Sequence, residues 1–171
     1  MKGVTGLTAN ACEPEGKVKS IELNKSEAIV SLDNGLNLSL YKNSFLMPMV
    51  NGSLKTGRPI CISNLAMDDQ IKNLAYPGQI VATFDVKEMK SNPRQMDCVK
   101  RGYIKRAISN SKYDWFYLEN GFVMRVVHIS KVTPKLYEAA FNLGEVCVTK
   151  MDLSGSGPTW GIPRKVEILW N

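Results

Sequence analysis

The four cysteines of the chain repeat at one fixed spacing. A step of 86 residues separates the members of each of two pairs, which are Cys12 with Cys98 and Cys61 with Cys147. The same step lays Asn34-Gly35 on Asn120-Gly121 without an insertion. A period of this length restricts the chain to folds made of two copies of one small domain. We therefore expect an internal duplication, with domains at 1–85 and 86–171. The alternative is two unrelated β-segments with coincidental turns.

Apolar side chains recur at the same step where strand cores are expected. The matched positions are Val18 with Ile104, Leu36 with Phe122, Leu38 with Met124, Ile60 with Val146, Ile62 with Val148 and Ile80 with Val166. In each copy an Asn-Gly dipeptide separates two such runs. This pattern is a strong β-hairpin signal, because both turn residues tolerate positive φ.

Each copy is predicted to contain five strands. The predicted strands are residues 17–23, 27–32, 36–40, 59–65 and 79–86 in the first copy, and 103–109, 113–118, 122–129, 145–151 and 165–170 in the second. A short helix is predicted at 134–143, between the third and fourth strands of the second copy. This element order is that of the OB-fold, a Greek-key barrel. The predicted fold class is all-β, with two tandem five-stranded OB-like barrels; an SH3-like barrel is the alternative.

The composition is that of an ordinary globular protein, with 44% hydrophobic and 22% charged residues. These proportions exclude a disordered, collagen-like or coiled-coil chain. No apolar run approaches the roughly 20 residues that a membrane helix needs. The first ten residues lack the apolar core of a secretory signal. We therefore expect a cytoplasmic protein that has no membrane partner.

The cysteines are expected to be reduced and mostly buried. No two of them lie within four residues of each other, so the chain has no Cys-x-x-Cys pair, and His128 is its one histidine. A zinc site would need all four thiols from distant segments. Buried free thiols are the simpler interpretation. No metal and no other cofactor are predicted.

Basic and aromatic residues are concentrated in the second copy. Residues 86–171 contain fourteen Lys and Arg against eight Asp and Glu, a balance of +6, whereas residues 1–85 contain eight of each. Ten of the fourteen aromatic residues also lie in the second copy. Cations attract phosphates, and flat rings stack on unpaired bases. The second domain is therefore predicted to bind nucleic acid, and the near-neutral first domain is predicted to support the second.

Aromatic residues alternate along the predicted strand 113–118. Phe116 and Leu118 are natural core residues, so Tyr113, Trp115 and Tyr117 are expected on the outer face. These rings could bind bases, or they could pack against a loop or the other domain. With the neighbouring cations, the candidate nucleic-acid-binding residues are Lys105, Arg106, Tyr113, Trp115, Arg125, His128, Lys131, Arg164 and Lys165.

Three stretches of the second copy resemble a known family. Residues 101–105 (RGYIK), 114–116 (DWF) and 126–132 (VVHISKV) resemble the ribosomal protein S-one type RNA-binding repeat. The resemblance implies an OB-fold barrel that binds RNA and carries an exposed aromatic residue on its second strand. It also implies that His128 stacks on or hydrogen-bonds to a base. Arg164 lies where the family places an arginine that contacts the nucleic-acid backbone.

These features predict a non-catalytic protein that binds single-stranded nucleic acid, RNA more readily than DNA. Catalytic signals are nearly absent, because the sequence contains neither a Gly-x-Ser-x-Gly motif nor a phosphate-binding Gly-rich loop. The alternative is a protein–protein adaptor built on tandem OB-like barrels. In that hypothesis the exposed aromatic residues and the Met-rich loop 45–50 (FLMPMV) dock a partner.

Overall fold

A computed structural model describes residues 15–153 and 159–171. The expectations for Cys12 and for the first ten residues lie outside the described residues. The chain divides between Ala82 and Thr83 into two compact units, each described by itself below. Within the described part of the chain, no helix is long and apolar enough to cross a membrane.

The described part of the first unit, from residue 15 onward, contains eight strands, several of them short, and one helix. In chain order they are β1 (Glu15–Gly16), β2 (Val18–Leu23), β3 (Glu27–Leu32), β4 (Asn37–Tyr41), α1 (Met47–Thr56), β5 (Ile60–Ser63), β6 (Ala66–Met67), β7 (Leu74–Tyr76) and β8 (Gln79–Thr83). β2, β3 and β4 pair antiparallel, β4 pairs in parallel with β7, and β7 pairs antiparallel with β6. β5 pairs antiparallel with both β1 and β8. Alternate residues of β3 and β4 are buried, so their inner faces form the core of this unit.

The second unit is a closed five-stranded barrel with one helix. Its elements are β9 (Lys100–Ser109), β10 (Asp114–Leu118), β11 (Val123–Val126), α2 (Thr133–Phe141), β12 (Glu145–Leu153) and β13 (Trp160–Leu169). The strands pair in the order β9–β10–β11–β13–β12, and β12 pairs with β9 to close the barrel. Only the β11–β13 pairing is parallel among these five. The helix α2 connects the third strand to the fourth, and the core includes Phe116, Met124 and Phe141.

Strand pairing in the two units is related by the same 86-residue step that relates their sequences. In the parallel pairs, Asn37 is opposite Leu74 and Val123 is opposite Trp160. In the antiparallel pairs, Cys61 is opposite Val81 and Cys147 is opposite Glu167. The two Asn-Gly turns also match, with φ of 91° at Gly35 and 95° at Gly121. These residues therefore pair in the same register in the two units.

The helix α1 lies where the sequence suggested only a loop. Its first turn contains Pro48, whose fixed φ suits a helix start, and Gly57 ends it with a left-handed φ of 73°. Leu46, Met49 and Val50 are almost fully buried. Half of the Met-rich segment 45–50 therefore lies in the core of the first unit, while Phe45, Met47 and Pro48 are half-buried; docking of a partner by this segment stays a prediction.

Several strand segments were also missed, among them β1, which precedes the first predicted strand. β6 and β7 lie in a region assigned to a loop, and β13 begins at Trp160, within the expected hairpin loop 153–163. Each of these segments is short or follows Gly and Pro residues, so its apolar alternation was too brief to detect.

The expectation of reduced cysteines is wrong. Cys98 and Cys147 form a disulfide, and Cys61 is also disulfide-bonded. The residue before β9 lies against β12, where the Val99 N–H donates a 2.7 Å hydrogen bond to the Val148 carbonyl. This contact leaves the Cα atoms of Cys98 and Cys147 5.3 Å apart, within the range that a disulfide spans. The lack of a Cys-x-x-Cys motif excludes only disulfides between cysteines close in sequence. Cys98 and Cys147 are 49 residues apart and are brought together by the pairing of β9 with β12.

Candidate nucleic-acid interface

The strand β10 presents alternate side chains to opposite sides of the barrel wall. Asp114, Phe116 and Leu118 are almost completely buried, at 1%, 0% and 0% exposure. Trp115 and Tyr117 are half-buried on the outer face, and Tyr113, which precedes the strand, is half-buried as well. The predicted orientation of this strand is confirmed, because the period of two places every second residue in the core.

Two aromatic rings lie against one arginine on the outer face of the second unit, and a third ring contacts one of them. Arg125 lies opposite Trp115 in the β10–β11 register. Its Cζ is 4.4 Å from the ring centroid of Tyr113 and 4.6 Å from that of Trp160. The rings of Tyr113 and Trp115 meet edge to face, with centroids 5.9 Å apart. We call Tyr113, Trp115, Arg125 and Trp160 the ring–arginine cluster.

A second arginine–ring contact lies further along β10. Arg106 of β9 is the register partner of Tyr117, and its Cζ is 5.6 Å from the ring centroid of Tyr117. Together with the ring–arginine cluster, this contact gives the outer face rings and guanidinium groups from four strands. Guanidinium groups over rings are held by cation–π attraction, and each such contact covers one face of the ring.

Trp160 was not among the residues singled out from the sequence. It lies in the region taken for a hairpin loop, but in the structure it begins β13 and pairs with Val123 of β11. The 86-residue step lays Trp160 on Leu74, but Leu74 also lies in a region assigned to a loop, so the sequence carried no signal for its strand position. Its place beside Arg125 follows from the parallel pairing of β11 with β13.

His128 contacts a buried carboxylate and lies outside the ring–arginine cluster. Its Nδ1 is 2.7 Å from Oδ2 of Asp114, and the hydroxyl of Tyr137 donates to the other oxygen, Oδ1. Burial raises the pKa of Tyr137 well above its ordinary value, and the charge of Asp114 and the hydrogen bond to it act in the same direction. His128 thus connects the end of β11 to β10, and Tyr137 connects α2 to the same carboxylate.

The four other candidate cations are exposed on the surface of the second unit. Lys105, Lys131 and Lys165 are exposed. Arg164 is ion-paired with Asp152 through contacts of 2.5 and 2.6 Å, and both side chains are more than half exposed. An exposed pair of this kind is weak, so Arg164 can exchange the carboxylate for another anion.

Two cations at the start of β9, Lys100 and Arg101, make structural contacts. Arg101 forms a 3.2 Å ion pair with Glu145, whose side chain is 3% exposed. Burial alone would raise the pKa of Glu145, but hydrogen bonds from Arg101, the Asn92 N–H and Ser91, with the charge of Arg101, lower it overall. Lys100 lies over the ring of Phe122, with its Nζ 4.8 Å from the centroid.

Within residues 15–153 and 159–171, no group of three or more His, Cys, Asp or Glu side chains is placed to hold a metal ion. No protein-family model matches the chain, and no curated protein or solved structure is significantly similar to it.

Proposed function

We propose that the second unit binds single-stranded nucleic acid, RNA in preference to DNA, on the outer face of β10, β11 and β13. The observation that carries this proposal is the ring–arginine cluster. Tyr113, Trp115 and Trp160 offer faces on which bases stack, and Arg125 supplies a guanidinium that contacts phosphate or stacks on a base. The binding is non-catalytic.

We also propose that each unit is a copy of an OB-type Greek-key barrel that arose by duplication. Three features of the second unit support this assignment: the strand order, the parallel pairing of the third and fifth strands, and the helix between the third and fourth. OB-folds bind oligonucleotides on the face of their second and third strands. In the second unit these strands are β10 and β11, which carry Trp115 and Arg125 of the cluster, and Tyr113 directly precedes β10.

The preference for RNA rests on the resemblance to the ribosomal protein S-one type repeat. Recognition of RNA by proteins favours unstacked bases in single strands, which suits a surface of rings with few base-edge donors. Cytoplasmic location stays a prediction, and the Cys98–Cys147 disulfide counts against it because such bonds are typical of oxidising compartments.

A titration with a fluorescently labelled single strand tests the proposal. We expect Trp115→Ala to weaken binding by about 5- to 150-fold, which corresponds to roughly 1–3 kcal/mol for one stacked base. The slope of log affinity against log salt should not change, since stacking releases no counterions. Anisotropy across a salt series measures both quantities for RNA and DNA of the same sequence.

The matched control is Ile29→Ala, because Ile29 occupies the position of Trp115 in the first unit. Ile29 is half-buried on β3, so its truncation should lower stability and leave affinity unchanged. If folded Trp115→Ala protein binds as the parent does, the stacking surface is wrong. If the parent binds no single strand at low salt, nucleic acid is the wrong partner, and the protein–protein adaptor hypothesis takes its place.

Exposed cations should affect the salt dependence instead. Lys105→Ala and Arg164→Ala are each expected to weaken binding to all sequences alike and to reduce the salt slope by less than about one unit. The effect of Arg164→Ala should be the smaller, because in the parent Asp152 already pairs with this side chain. A change in sequence preference in either variant would contradict a phosphate-contacting role.

A further inference from the structure

The first unit contains a cavity of about 340 Å³ on the face formed by β3, β4 and β7. Three aromatic residues line it: Tyr41 and Tyr76 at the strand ends, and Phe45 in the segment before α1. Tyr41 is 75% exposed and Tyr76 44% exposed, so their rings are accessible. The volume lies within the roughly 300–1,000 Å³ range of small-ligand sites.

Carboxylates accompany these rings, and no described residue lining the cavity is basic. Glu27 lines the cavity, where its Oε2 accepts a 3.1 Å hydrogen bond from Ser39. Asp68 accepts a 2.5 Å hydrogen bond from the hydroxyl of Tyr76. This bond, with the N–H groups of Ile71 and Gln70, lowers the pKa of Asp68. The pKa of Tyr76 is raised, first by its hydrogen bond to Asp68 and then by burial and by the charges of Asp68, Glu27 and Asp69. Three carboxylates therefore act on this ring.

The corresponding face of the second unit carries the opposite charge. The 86-residue step lays Glu27 on Tyr113, Ser39 on Arg125 and Phe45 on Lys131. Because the β3–β4 register matches the β10–β11 register at this step, these are equivalent places in the two units. One face is therefore built from rings and cations, and the other from rings and carboxylates.

We propose that the cavity of the first unit binds an organic cation, a guanidinium or alkylammonium group. The negative face of an aromatic ring attracts a cation, and the Glu27 carboxylate supplies a charged hydrogen-bond acceptor beside the rings. The same carboxylate disfavours a nucleotide phosphate in this cavity. This site is separate from the proposed nucleic-acid surface and does not depend on it.

An NMR titration of the intact, nitrogen-15-labelled chain tests the proposal with three probes: N-acetyl-arginine amide, N-acetyl-lysine amide and tetramethylammonium. We expect saturable shifts at Glu27, Ser39, Tyr41 and Tyr76 with at least one probe. Preference for a capped amino acid indicates the side chain of a polypeptide, and preference for tetramethylammonium indicates a free quaternary amine. Either preference supports a cation site.

Two variants make the result specific. Glu27→Gln should weaken binding of the preferred probe at least tenfold, whereas Glu22→Gln, which removes an exposed carboxylate of β2 outside the cavity lining, should change it less than twofold. Tyr41→Ala provides a second loss of binding, and because this ring is mostly exposed the variant should remain folded. Absence of shifts, unchanged binding in Glu27→Gln, or equal binding of uridine or glucose would overturn the proposal.

Discussion

Asp114 is a buried carboxylate, and each of its two oxygens has a side-chain hydrogen-bond partner. His128 contacts Oδ2 and Tyr137 donates to Oδ1, so three elements meet at this one side chain. A carboxylate with 1% exposure is costly to bury unless such partners remain. The single histidine of the chain therefore has a clear structural contact, whatever its role toward a ligand.

Removing the Tyr137 hydroxyl should lower the stability of the protein, because Asp114 then loses one hydrogen-bond donor. We expect Tyr137→Phe to lower the free energy of unfolding by about 1.5–3 kcal/mol, the usual range for a hydrogen bond to a charged group. Chemical denaturation measures the change, and Tyr117→Phe on the outer face serves as the control, with little expected effect. Equal stability of the two variants would show that Asp114 does not need the Tyr137 hydroxyl.

Glu145 should contribute to acid sensitivity. Its pKa lies below the ordinary value of 4.5 in the folded state, so its stabilising contribution is present above that value and is lost as pH falls through the folded pKa. We expect Glu145→Gln to be less stable at neutral pH and to lose less stability on acidification from about pH 5 downward. Denaturation curves across this range measure both effects, with Glu138→Gln, an exposed residue of α2, as the control. A parallel loss of stability in the parent and Glu145→Gln would contradict this account.

At the scale of elements, the disulfide between Cys98 and Cys147 ties the start of β9 to β12. The two residues are separated by 49 positions, and closing a loop of that length in the unfolded chain is worth about 4 kcal/mol in the chain-entropy treatment. Both strands also pair directly, so the bond reinforces the closure of the barrel.

The double variant Cys98→Ser/Cys147→Ser should accordingly unfold at lower denaturant concentration, with a loss of up to about 4 kcal/mol. Non-reducing peptide mapping of the parent should yield one fragment that joins the two cysteines. Free thiols at both positions in the purified, unreduced protein would contradict the assignment. The loss in stability is measured against the parent under the same non-reducing conditions.

The elements that the sequence predicted well are those with long, regular patterns. Alternation around Asn34-Gly35 and Asn120-Gly121 located both hairpins, and the residues of α2 carried a visible apolar face. The helix α1 was missed because Pro48 and Gly52 are poor helix residues, although Pro48 is compatible with the first turn. There the burial of Leu46, Met49 and Val50 outweighs local propensity.

At the scale of the whole molecule, the chain forms two compact units that share several strand registers at the 86-residue step and differ in charge. The charge asymmetry between the halves is visible in the sequence, and the prediction that the second unit attracts phosphate rests on it. Alternation in β10 also predicted the outward side chains. Contacts between strands distant in sequence were not predictable from one sequence, and both Trp160 beside Arg125 and the disulfide depend on such contacts.

The measurement that tests the central claim most directly is a map of backbone and indole N–H shifts during titration with a short uridine oligonucleotide. The account predicts that the largest shifts occur at Tyr113, Trp115, Arg125 and Trp160, including the indole signals of the two tryptophans. Shifts that are absent, or that spare these four residues and cluster elsewhere, would contradict the claim that the outer face of β10, β11 and β13 binds single-stranded nucleic acid.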